Sequence, residues 1–209
     1  MISETELAPY LETLAEKYPR QVMERLDRGT KVQKSLRLTY IVDDVDIDKN
    51  LGEFPEGAVP YGPIHRALRN SQREIMDLFN GSSEAPFSRA YEEGVGECLE
   101  KAILVQLSAQ RGRNVFLING YLTEDDDFVG AHAYNVVFKD GKPFLVDAQN
   151  PLAKDSTDKI THPYIAPILG IEGEYGDFVV PKEWKQGRTY SIFWFLSPAL
   201  NIILHDDWA

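Results

Sequence analysis

The dipeptide Asp140-Gly141 separates two short apolar runs, residues 131–138 and 143–146. A two-residue hairpin turn needs positive φ at both central positions, and Asp-Gly supplies that at low steric cost. The two runs are therefore predicted to pair as antiparallel strands. In that register residue 132 faces 149, and 147 lies one same-face neighbour away. Residues 114–121 read as a further apolar strand and 97–110 as an apolar helix. Helix, strand, strand, strand across residues 94–150 predicts an α+β architecture, with a central helix packed on an antiparallel sheet.

Around this unit the signals are weaker. Residues 5–18 carry Leu7, Tyr10, Leu11 and Leu14 at helical spacing, continuing or bending at Pro19, and residues 21–26 suggest a second short helical turn. Residues 36–42 alternate as a half-exposed strand, 43–63 are irregular, and 64–79 read as one helix broken by Gly81-Ser82-Ser83. Residues 177–180 and 189–196 are expected strands. The chain of 209 residues is predicted to form one catalytic domain: a helical and irregular extension (1–85), a core (94–150) and a sheet-completing C-terminal part (151–209).

A formal charge of -11 disfavours nucleic acid and anionic lipid as partners. No apolar run approaches the ~20 residues that span a bilayer, so no membrane association is expected. The acidic start, Met1-Ile2-Ser3-Glu4, lacks a signal-peptide profile. This predicts a cytoplasmic protein, or one secreted by a route without a cleavable signal.

Cys98 is the single cysteine. It has no internal disulfide partner and cannot build a thiolate-rich zinc site within one chain. It stands at the expected start of the helix, where unfilled N–H groups and the helix dipole favour a thiolate. Gly94 and Gly96 let the backbone turn sharply into that helix, and Cys98, Ala102, Val105 and Ala109 form a small-residue file suited to close packing on a sheet. His132 opens the second strand and Asp147 ends the third, near the open end of the hairpin. A carboxylate there can hold one imidazole nitrogen while the other serves the sulfur. The candidate catalytic residues are therefore Cys98, His132 and Asp147, with no cofactor and no metal required. A lone cysteine in an apolar helix is more often plain packing; the order Cys, His, Asp on these elements is what favours chemistry.

Gly96-x-Cys98 at a helix start, Asn119-Gly120-Tyr121 at a strand end, the run Gly130-Ala131-His132-Ala133-Tyr134-Asn135 and the strand Pro143-Phe144-Leu145-Val146-Asp147 together resemble the transglutaminase-like superfamily of papain-type cysteine enzymes. The resemblance covers residues 94–150, about a quarter of the chain. It implies a papain-like fold and acyl transfer or amide hydrolysis through a thioester on a protein or peptide substrate, with Cys98 as nucleophile, His132 as base and acid, and Asp147 as orienter. Arylamine N-acetyltransferases share the triad order, but their Arg-Gly-Gly is replaced here by Gly94-Val95-Gly96-Glu97. Glycanase-type cysteine pairs are missing, Tyr134 stands where many members have Trp, and Ala148-Gln149-Asn150-Pro151 follows Asp147.

Other signals have plain readings. Asp44-Val45-Asp46-Ile47-Asp48 lacks the glycine and glutamate of a calcium loop, having Lys49 and Pro55 at those positions, and reads as solvated. Glu124-Asp125-Asp126-Asp127 would rim the site and favour cationic substrates, or simply be solvated. His65, His162 and His205 share no metal-ligand spacing, and neither Gln72 nor Tyr91 is singled out as an oxyanion donor. The alternative functions are a non-catalytic interaction protein on the same scaffold, docking through its acidic N-terminal helices, or an acyltransferase of the arylamine N-acetyltransferase type.

Overall fold

A computed structural model describes residues 2–35, 37–47, 61–109, 114–125, 127–150, 153–154, 160–162, 164–185 and 187–193. Asp140 and Gly141 adopt φ of 52° and 72°, the left-handed pair a tight hairpin requires. They join β6 (Asp127–Lys139) to β7 (Lys142–Asp147). The ladder runs from Lys139↔Lys142 to Asn135↔Val146, in the expected register. It then stops short of the expected pairing of 132 with 149. The Asp147 carboxylate accepts the Gln149 and Asn150 N–H groups at 2.8 and 3.1 Å, which curls the chain off the strand. His132 is thus paired only on its other side, with Gly120 of β5 (Val115–Glu124).

The remaining strands include β1 (Val22–Met23), β10 (Tyr164–Pro167), β11 (Gly170–Glu172), β12 (Asp177–Val179) and β13 (Arg188–Ser191). They extend an antiparallel sheet of order β10-β7-β6-β5-β13-β12-β11. β1 shares the edge of β5 with β13, pairing at Leu117 and Ile118 while β13 takes positions 121–124. A small second sheet joins β2 (Lys31–Gln33), β3 (Thr39–Ile41) and β4 (Glu84–Pro86), and β8 (Ala153–Lys154) pairs with β9 (Ile160–His162).

The period-two alternation of β5 and β6 divides the core. Val115, Leu117, Ala133 and Val137 face one apolar cluster, which contains α5 (Cys98–Ala109). Phe116, Ile118, Tyr134, Val136 and Phe138 face the other, against α1 (Glu4–Lys17). The expected central helix is therefore α5, with Ala102, Val105 and Ala109 all buried. Asn135 reaches from β6 to donate to the Ala102 carbonyl at 3.1 Å. The fold is mixed α+β, and among the described residues no helix is long and apolar enough to cross a membrane.

Several sequence expectations change. The predicted helix over 64–79 is two helices, α2 (Tyr61–Ala67) and α3 (Gln72–Phe79). Ser71 caps α3, while the Arg69 backbone bonds Gly94 and Gly96 instead of continuing a helix. The predicted turn of helix at 21–26 is strand β1, captured by the open edge of β5. Tyr10 of α1 is 40% exposed, and Ala8 is buried in its place. The strand expected over 36–42 is formed at β3, Leu36 itself lying outside the described residues. The strand expected over 189–196 is β13, and Trp194 and Phe195 also lie outside them. The short helices α4 (Phe87–Glu93) and α6 (Lys182–Lys185) complete the elements described.

Candidate active site

The approach to Cys98 is built by close packing. α4 ends at Gly94, whose φ of 64° turns the chain. Two residues on, a Cβ at position 96 would stand 2.6 Å from Glu100 Cβ and 2.7 Å from Leu68 Cδ1, so only glycine fits. Arg69 then clamps this turn, donating its N–H to the Gly94 carbonyl at 2.9 Å and accepting the Gly96 N–H at 3.0 Å. Glu97 is the residue before α5, and the Glu100 carboxylate reaches back to accept its N–H at 2.9 Å. Cys98 is the first residue of α5 and is partly exposed.

The structure brings the three candidate residues together. The His132 Nε2–H donates to Asp147 Oδ2 at 2.8 Å, with both side chains buried. With Nε2 so engaged, Nδ1 is the ring nitrogen left for the sulfur, and the imidazole and the Cys98 thiol influence each other's ionisation. The Ala133 backbone N–H also faces the sulfur. That amide lies on the edge of β6 just past the end of β7, so the early stop of β7 is what opens the strand edge to Cys98.

Asp147 is saturated with donors. Besides His132 and the two backbone amides, its Oδ2 accepts the Tyr190 hydroxyl at 2.8 Å and the Asn150 amide at 3.1 Å. Burial opposes its charge, but His132 and these hydrogen bonds prevail and hold its carboxyl below the usual range. Burial likewise opposes the imidazolium, yet Asp147 and Cys98 push His132 up to about 10. For Cys98, burial works against the thiolate and is outweighed by His132, Lys34 and the Ala133 N–H, so the thiol is lowered. The electrostatics therefore favour a thiolate–imidazolium pair oriented by a charged aspartate.

Three surrounding residues, Lys34, Lys101 and Tyr190, escaped the sequence reading. Lys34 places its Nζ 3.0 Å from Glu100 Oε1 and 3.4 Å from Glu97 Oε2. Lys101, buried one turn along α5, donates to Asn70 Oδ1 at 2.8 Å and Gln149 Oε1 at 2.6 Å. Only the Glu97-x-x-Glu100 spacing announced any of this network, as the reach-back carboxylate of a helix start. Tyr190 arrives on β13, whose pairing with β5 is too distant in sequence to foresee.

Of the weaker candidates, Gln72 opens α3, and the Tyr91 hydroxyl donates to the Ile47 carbonyl at 2.8 Å, a packing role. His65 Nδ1–H donates to the Ala148 carbonyl at 2.6 Å, bracing the turn after Asp147. The His162 side chain and His205 lie outside the described residues. Among the described residues no group of three His, Cys, Asp or Glu side chains is placed to hold a metal ion. No protein-family model, curated protein or solved structure matches the chain, so its chemistry stands on the geometry of these residues alone.

Proposed function

We propose that the protein is a cysteine-dependent acyl-transfer enzyme of transglutaminase-like, papain-type design, acting on a peptide or side-chain amide of a protein or peptide substrate. The observation that carries this reading is the buried His132 ring, held by Asp147 on one nitrogen and interacting with the partly exposed sulfur of Cys98. A structural cysteine has no need of a fully buried carboxylate whose five hydrogen bonds fix an imidazole beside it.

In the proposed reaction the Cys98 thiolate adds to the substrate carbonyl carbon, and the C=O π pair moves to oxygen. The Cys98 backbone N–H, without an intrahelical acceptor at the first position of α5, is a natural donor to that oxyanion. The C–N bond then breaks as His132 passes its proton, originally from the thiol, to the leaving nitrogen. The resulting thioester is attacked by water in hydrolysis or by an amine in transfer. His132 takes the proton of the attacking group, the C–S bond breaks, and the thiolate returns.

The same observation weighs against a non-catalytic scaffold, which would leave Cys98 sealed and distant from the imidazole. The test offers a library of peptides and amines with an activated-acyl trap to the wild type and to Cys98→Ala. Adducts are expected at Cys98 in the wild type and absent in the variant. Labelled adducts of equal yield in Cys98→Ala would overturn the assignment, as would a Cys98 that neutral iodoacetamide alkylates only after denaturation.

A further inference from the structure

The reach-back carboxylate that starts α5 carries an electrostatic cost. Glu97 and Glu100 both belong to the turn that presents Cys98, and a carboxylate near a sulfur disfavours its thiolate. Glu100 is fixed there: it is 0% exposed and accepts the Glu97 N–H at 2.9 Å. Buried charge of this kind is little screened by salt. Lys34, immediately after β2, stands against both glutamates, with its Nζ 3.0 and 3.1 Å from the two Glu100 oxygens and its side chain only 15% exposed.

We propose that Lys34 is a positioning residue for the nucleophile: clamped between Glu97 and Glu100, its ammonium offsets their charge and keeps the surroundings of the Cys98 sulfur favourable to the thiolate. The N-terminal segment, which lies outside the run that resembles a known family, thus completes the site. Among the described residues, the charged groups around the sulfur are His132 from β6, Asp147 from β7, Glu97, Glu100 and Lys101 from the α5 turn, and Lys34. Without Lys34 the carboxylates are in excess. Burial opposes the Lys34 charge, but Glu100, Cys98 and Glu97 outweigh it, so the ammonium stays protonated while the thiol ionises.

This inference rests on Cys98 being the nucleophile, and one titration separates the two claims. The ultraviolet absorbance of the thiolate is followed against pH in the full chain, alongside the rate of iodoacetamide alkylation. Lys34→Met is expected to raise the thiolate midpoint by about one pH unit and slow alkylation about tenfold below both midpoints. Lys34→Arg restores the wild-type midpoint. Glu100→Gln keeps an oxygen for the Glu97 N–H and moves the midpoint the other way, downward. General damage to the fold would not move the two variants in opposite directions.

Should Lys34→Met fail to fold because Glu100 is left unpaired, the double variant Lys34→Met/Glu100→Gln buries no unpaired charge, and its midpoint is expected about one unit above that of Glu100→Gln. A lowered wild-type midpoint that neither Lys34→Met nor the double variant shifts would overturn the role of Lys34 alone. A wild-type midpoint at the ordinary thiol value would overturn the nucleophile itself.

Discussion

Cys98 is flanked by two charged arrangements built in opposite ways. His132 and Asp147 lie 15 residues apart on one hairpin, and every face of the aspartate carboxylate is met by a donor. Lys34 and Glu100 lie 66 residues apart, and their approach depends on how the small β2-β3-β4 sheet packs against α5. The first arrangement fixes a ring in one orientation, as the proposed proton transfer requires. The second adjusts local charge, for which a flexible lysine stem is adequate. A local hairpin here supplies precision, and a long-range contact supplies potential.

The comparison is broken most severely at Asp147. Asp147→Ala removes the acceptor of five hydrogen bonds and leaves a raised, buried imidazole without its partner. Losing one member of such a pair costs about 3–5 kcal/mol. Glu100→Ala should cost less, because the ammonium it abandons is partly exposed and retains Glu97. Urea unfolding of the two variants measures the difference; equal losses would mean that the two sides are equally rigid. Alkylation of Cys98 at neutral pH should fall in Asp147→Ala and not in Glu100→Ala.

Stability against pH separates the ionisations. His132 has a folded value near 10 against 6.5 unfolded, so its contribution is complete below 6.5 and lost as pH rises toward 10. Cys98 is lowered from 9.0, so between its folded value and 9.0 its contribution grows with pH. The two oppose each other, and the wild type should show little slope between the folded Cys98 value and pH 9. Cys98→Ser leaves Asp147 as the main cause holding His132 up, and stability should then fall by up to about 1.4 kcal/mol per pH unit over that range. Asp147, lowered from 3.8, has its contribution in place above that value and loses it as pH falls through the folded one. A flat profile in Cys98→Ser would show that the imidazole is not charged without the thiolate.

The turn before Cys98 comes next in size. Gly96→Ala forces a methyl against Glu100 and Leu68, and overpacking of this kind costs about 1–3 kcal/mol. Because Glu100 must shift, the Lys34 side should be disturbed more than the His132 side. A thermal melt gives the cost, and a thiolate titration shows whether the midpoint rises.

This asymmetry also governs what the sequence disclosed. The hairpin was legible because Asp140-Gly141 sets its register from adjacent residues, and His132 and Asp147 follow at its open end. Cys98 was legible as the start of a helix whose apolar residues leave one place for it. The break of the expected 64–79 helix was not, because Arg69 leaves helical geometry to bond Gly94 and Gly96, a contact 25 residues away. Strand β1 was missed for the same reason: Val22 and Met23 are helix-compatible locally, and only the vacant edge of β5 makes them a strand. Lys34 in a polar stretch resembles any surface lysine until Glu100 is brought over it.

Tyr190→Phe gives the smallest and most selective test of the His132 side. The hydroxyl donates one of five hydrogen bonds to Asp147, while the ring packs against Tyr134, Tyr164 and His132. Phenylalanine preserves that packing and leaves Asp147 four donors, so the cost should be about 1 kcal/mol, that of a single hydrogen bond to a charged group shared among many. Its effect on the carboxylate is to make it slightly more basic, which strengthens its hold on the His132 proton. Alkylation at neutral pH should therefore change less than twofold, whereas the acid limb of the stability profile should move to higher pH. An unchanged acid limb would mean that the tyrosine contributes packing alone, and that the other four donors already define the aspartate.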